Sequence, residues 1–276
     1  MASNEFLPSY LYHSPINKYK KKTYNTVSLP THWNSADCWP YVNIIDQDNL
    51  KIEYKGPGRT STDAASIRTN NPIPPEVGLY YFEITVLDKG EGGCIGIGLC
   101  KSDVELNILP GKVTTDKRII KGLIKTFNNF LKTYKIGWIE DTVGYHGDNG
   151  RLYCERGTGE FFGPCYDTGD TVGCGINFLT MEIFFTKNGI YLGKGPFLYF
   201  ETFSYDDLIE YKIYADMYPM SGMATKGEII IANFGMKPFM FDIDNYAKVL
   251  FSDAELKREL EKETFKILES INSEEI

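Results

Sequence analysis

The stretch Asp170–Gly193, D-T-V-G-C-G-I-N-F-L-T-M-E-I-F-F-T-K-N-G-I-Y-L-G, decides the fold. Val172, Cys174, Ile176 and Phe178 alternate with Gly173, Gly175, Asn177 and Leu179. A period of two belongs to a pleated strand with one apolar face. A second strand is expected from Glu182 to Thr186, running into Asn188-Gly189. That dipeptide accepts the two positive φ values of a type I′ turn, so the chain reverses in two residues. The register then sets Thr186 opposite Tyr191 and Phe185 opposite Leu192, and a one-residue slip would carry Phe185 into water. The stretch reads as a hairpin in the core of an antiparallel sheet.

Working outward, the same signature recurs. Ile44-Ile45 and Leu50 to Tyr54 read as short strands, Gly78 to Leu87 as a long one, and C-I-G-I-G-L-C (Cys94–Cys100) as another. Ile213 to Met217 and Glu228 to Asn233 follow, with Tyr218-Pro219-Met220-Ser221-Gly222 read as the break between them. Lys55 to Ser66, rich in Gly, Pro and small polar residues, is a loop. Many short strands punctuated by Gly and Pro are the mark of an all-β, two-sheet antiparallel sandwich. The composition agrees: among 276 residues there are 19 Tyr, 17 Phe and 26 Gly, a usage that favours strands and tight turns.

Two segments break the pattern. Between Lys112 and Ile136 seven basic residues face one acid, Asp116. Ile120, Leu123, Phe127 and Leu131 recur there at helical spacing, which predicts an inserted amphipathic basic helix with its apolar face on the sandwich. From Ser252 the capping box S-D-A-E opens an expected C-terminal helix, with Phe251 as its staple and an apolar stripe from Leu256 to Ile271. Residues 1–28 carry no steady period and hold the basic run Lys18-Tyr19-Lys20-Lys21-Lys22, read as a solvated tail. The expected organisation is thus an N-terminal extension (1–28), a sandwich domain (29–242, with 112–136 inserted) and a helical tail (243–276).

Several functional classes fall away. A net charge of −8 argues against nucleic-acid binding by bulk electrostatics. Six cysteines stand without metal or disulfide spacing, so they are read as reduced thiols, with no metal and no cofactor expected. The run G-G-C-I-G-I-G continues into a strand rather than a helix and cannot form a dinucleotide loop. Of three histidines only His146 is placed for catalysis, and it sits in a glycine-flanked turn, so no enzyme is expected. The first residues lack a signal-peptide plan and no apolar run reaches membrane-spanning length. A cytoplasmic protein is expected, with a nuclear pool as the second compartment.

In chain order the motifs G-L-Y-Y-F-E-I, G-C-I-G-I-G-L, G-Y-H-G-D-N-G, T-G-D-T-V-G-C-G-I-N, F-F-T-K-N-G, M-Y-P-M and A-N-F-G resemble SPRY domains. With L-P-x-x-W at Leu29, Y-K-G-x-G-x-T at Tyr54 and D-A-A-S at Asp63, the chain is most similar to the SPRY domain of the Ran-binding protein M family, over Leu29 to Asp242. The chain departs from that pattern in the basic segment between Gly111 and Trp138, in a longer connection after Gly193, and in showing no LisH- or CTLH-like helical array beyond Asp242.

The resemblance implies a concanavalin-like sandwich. It further implies a non-catalytic module whose loops at one end take an extended peptide from a protein partner, and possible roles beside ubiquitin-ligase components as a substrate-recognition adaptor. The stretches matching the family's ligand loops carry Arg59, Thr60, Ser61 and Asp63, then Tyr145, His146 and Asp148, then Met220, Ser221 and Met223. Arg59 offers a planar fork for carboxylates or peptide carbonyls, Tyr145 a flat amphipathic ring, and the methionines adaptable apolar contacts. A lectin-like carbohydrate-binding domain is the rival reading of the same architecture.

Overall fold

The computed structural model describes residues 7–13, 28–60, 63–112, 142–154, 159–180, 182–195 and 217–252. Two seven-stranded antiparallel sheets face each other. The first contains β1 (Trp33–Cys38), β4 (Ala65–Thr69), β13 (Met217–Met223), β6 (Gly96–Lys101), β7 (Thr142–His146), β8 (Arg151–Cys154) and β9 (Glu160–Phe161), in that spatial order. The second runs β12 (Ile190–Lys194), β11 (Glu182–Lys187), β10 (Thr171–Asn177), β5 (Leu79–Lys89), β14 (Glu228–Asn233), β3 (Lys51–Tyr54) and β2 (Val42–Ile44).

The hairpin lies where expected. Asn188 and Gly189 take φ of 50° and 76°, and Thr186 pairs with Tyr191. One detail differs. A bulge between Phe185 and Thr186 makes Phe185 pair with Gly193 rather than Leu192. The extra residue lets β12 bend, and Leu192 ends partly buried at the margin of the core.

The expectation of a single apolar face on β10 is also corrected, because every residue of β10 is buried. Facing the other sheet, Cys174 sits between Phe82 and Phe185, and Phe185 reaches Tyr145 across the sandwich (ring centroids 5.8 Å apart). On the opposite face Gly175 lies between Tyr81 and Phe184. Those two rings stack 5.9 Å apart over the glycine, and a Cβ at Gly175 would come within 2.2 Å of Phe184.

This outer face is covered by three pieces of chain. A 3-10 turn, Ser9–His13, buries Tyr10 and Leu11, although residues 1–28 read as a solvated extension. Phe239 and Phe241 close on the Tyr81 ring at 5.1 and 5.6 Å. A helix, α1 (243–252), places Ile243, Ala247 and Phe251 in the core, an i, i+4, i+8 stripe.

The helix start is a correction as well. The Asn245 N–H donates to Asp242 Oδ1 at 3.0 Å, so Asp242 is the N-cap. Ser252, expected as the cap, lies in the last described turn of the helix and donates its hydroxyl to the Lys248 carbonyl at 2.8 Å, the back-bond of a helical serine. The break expected at Tyr218–Gly222 is strand: β13 pairs with β6 from Met217 to Gly222. Pro219 is accommodated because the ladder to β4 begins one residue later, at Met220. Beyond Lys112 the expected basic helix lies outside the described residues, as do 213–216 and the helical tail past Ser252.

Candidate functional site: the loop end of the first sheet

Four adjacent strands of the first sheet bring the three candidate stretches to one end. Met223 pairs with Ala65, Gly222 with Gly96, and Gly96 with His146. The loop before β4, the turns after β7 and β13, and the hairpin tip before β6 therefore emerge side by side.

The loop before β4 and the turn after β13 each carry a polar anchor. The Tyr54 hydroxyl donates to the Asp63 carbonyl at 2.6 Å and accepts from the Gly58 N–H at 3.2 Å. Asp63 Oδ2 accepts from the N–H groups of Arg59 and Thr60, at 2.8 and 3.2 Å. Gly58, at φ 60°, passes so close to the next turn that a Cβ would lie 2.9 Å from the Lys226 nitrogen. In that turn the buried Glu228 carboxylate accepts from the N–H groups of Ala224 and Thr225 and from the Thr225 hydroxyl (2.8, 2.8 and 2.6 Å). Burial raises the Glu228 pKa above the ordinary carboxylate value, and these hydrogen bonds oppose the shift. The Thr225 hydroxyl also accepts from the Gly92 N–H (3.0 Å), and Lys226 from the Glu91 N–H (2.9 Å). Loop joins loop.

The side chains divide sharply. Arg59 is 77% exposed, its Nε 3.7 Å from Asp63. Thr60 and Asp148 are exposed too, and Ser61 lies outside the described residues. Desolvation raises the Asp148 pKa, opposed by its own N–H, by Lys112 and by the Asn149 N–H.

The remaining candidates are buried. Tyr145 packs against Phe162, Tyr166 and Phe185 and donates its hydroxyl to the Pro164 carbonyl. His146 is held by Nε2 on the Pro110 carbonyl at 2.8 Å and lies 4.2 Å from the Tyr153 ring. Burial, against the pull of that carbonyl, takes its pKa down to about 3. It is neutral near pH 7 and engaged structurally. Met220 and Met223 are core residues, and Ser221 donates to the Gly96 carbonyl at 2.9 Å. None of these five presents a side chain to a partner, because β7 and β13 are buried throughout their ends.

Two further exposed side chains, Glu91 and Lys226, stand at hairpin tips on this end and were not among the residues expected there. Their signals were K-G-E-G-G and T-K-G, turn sequences flanked by apolar runs.

The SPRY domain family matches residues 79–209. The chain is 36% identical over 236 residues to Ran-binding protein 10 of Danio rerio, covering 84% of this chain and 32% of that protein. It is 32% identical over 218 residues to the Ran-binding protein M homolog of Arabidopsis thaliana, covering 79% of this chain and 38% of that protein. A crystal structure of a human SPRY domain superposes with a TM-score of 0.49 at 25% identity, over 72% of this chain and 98% of the other. Over residues 79–209 the chain matches the SPRY domain, and it is similar in that region to the Ran-binding protein 9, 10 and M homologues; a SPRY domain is a protein-interaction module. It spans about a third of the length of the first curated relatives. Among the described residues no helix is long and apolar enough to cross a membrane.

Proposed function

We propose that this chain is a non-catalytic recognition module that binds an extended segment of a partner protein across the loop end, and that it acts in the cytoplasm as an adaptor, presenting that partner for ubiquitin ligation. The observation that carries the reading is the tying of the 224–228 turn to the 90–92 hairpin tip through Thr225 and Lys226, beside a 58–63 loop braced by Asp63, with Arg59 left standing out of it. Rigid backbone under an exposed, planar cation suits peptide recognition, because little ordering entropy remains to be lost on binding. Arg59, Thr60, Glu91, Asp148 and Lys226 are the contact residues of this reading. Tyr145, His146, Met220, Ser221 and Met223 support them from beneath.

The test is to capture partners on the intact chain, identify the bound segment, and titrate it calorimetrically. Arg59→Ala is expected to weaken binding by about 1 to 3 kcal/mol with an unchanged melting temperature. Equal affinity of wild type, Arg59→Ala and Lys226→Ala for that segment would move the binding surface elsewhere.

A further inference from the structure

On the far side of the molecule, outside the second sheet, lies a groove of about 620 Å³ between the Ser9–His13 turn and residues 235–244. Its apolar lining is unusually bare: Tyr12 is 64% exposed, Met236 56% and Met240 55%. Tyr12, Met236 and Met240 are three of the ten large hydrophobic residues exposed among the described ones, and apolar surface gathered in this way marks interaction sites.

Charge selects the occupant. Asp242 and Asp244 stand at the lip. Asp242 Oδ1 accepts from the Asn245 N–H and Asp244 Oδ2 from the Ser9 hydroxyl, both at 3.0 Å, and the second oxygen of each has no hydrogen bond among the described residues. One cation, Lys237, lines the groove against these two carboxylates. The wall itself is firm. The buried Glu83 accepts from the N–H groups of Met240 (3.0 Å) and Phe241 (3.0 Å) and from the Tyr81 hydroxyl (2.9 Å). Methionines on a fixed wall give an adaptable but pre-placed apolar surface.

We propose that this groove is a second docking site, separate from the loop end, for a segment of a partner protein that lays apolar side chains on Tyr12, Met236 and Met240 and sets a lysine or arginine against Asp242 and Asp244.

The test uses displayed random dodecapeptides selected on the intact chain. Recovered peptides are then measured by fluorescence anisotropy against wild type, Met240→Asp, Asp244→Lys and Arg59→Ala, with melting temperatures recorded for each. Peptides combining apolar residues with Lys or Arg are expected. They should bind Met240→Asp and Asp244→Lys at least tenfold more weakly and Arg59→Ala as well as wild type. Loss on Arg59→Ala alone assigns the peptide to the loop end and, if no other class is recovered, overturns the groove. Acidic or uncharged peptides that require Met240 overturn the assigned chemistry. A dimer in sedimentation that Met240→Asp dissolves makes a second copy the occupant, which also overturns it.

Discussion

His146 is neutral in the folded protein because burial holds its pKa near 3, well under the ordinary 6.5. A depressed value in the native state means that the unfolded chain binds the proton first, so stability is present above about pH 6.5 and is lost as the pH falls toward 3. Between pH 6.5 and 5 this one residue should remove about 2 kcal/mol. Denaturant titrations at both pH values should show that loss in wild type and a shallower one in His146→Gln. Equal slopes would contradict the placement. Phe185, buried between the sheets, should cost about 3 to 5 kcal/mol when cut to Ala, and a melt showing under about 1 kcal/mol lost would remove it from the core. At this scale the sequence was informative about backbone and poor about exposure. The loop motifs around Arg59, Tyr145 and Met220 belong to strands and loops that meet at one end of the first sheet. Yet Tyr145 and Met220 face packed neighbours, because a strand covered on both sides shows no polar alternation to betray which residues point outward.

At the scale of elements, the covering of the second sheet is the part that sequence patterning concealed. The Tyr81 N–H donates to the Tyr10 hydroxyl oxygen at 3.1 Å, a bond between residues 71 positions apart that no local period announces. Tyr10→Phe should therefore leave a buried donor unmet and cost about 1 to 3 kcal/mol. Glu83→Gln, which weakens the anchor of Met240 and Phe241, should cost a similar amount and speed amide exchange at 239–241. Unfolding curves unchanged in both variants would mean that the N-terminal turn and the 235–244 wall are loosely held. The hairpin was legible because Asn188-Gly189 states its own geometry. The N-cap of helix α1 falls ten residues before the expected Ser252 because the true cap, Asp242, ends the P-F-M-F-D run and lacks the Glu or Gln three residues on that completes a capping box.

At the scale of the whole molecule, the two sheets, their covering layer and the loop end pack around one shared core. The inserted segment enters and leaves the sandwich at neighbouring points: the Gly111 N–H donates to the Thr142 hydroxyl at 2.8 Å. Replacing 113–141 by a short Gly-Ser linker should leave the sandwich folded, with a melting temperature within about 5 °C of wild type; a molten product would make the segment part of the core. The recognition surface is tested most directly by hydrogen exchange on the intact chain, with and without a saturating peptide taken from a captured partner. Slower exchange is expected in residues 56–60, 91–95, 147–149 and 224–227, across all four loops together. Unchanged exchange in those loops while the peptide is bound would contradict recognition at the loop end.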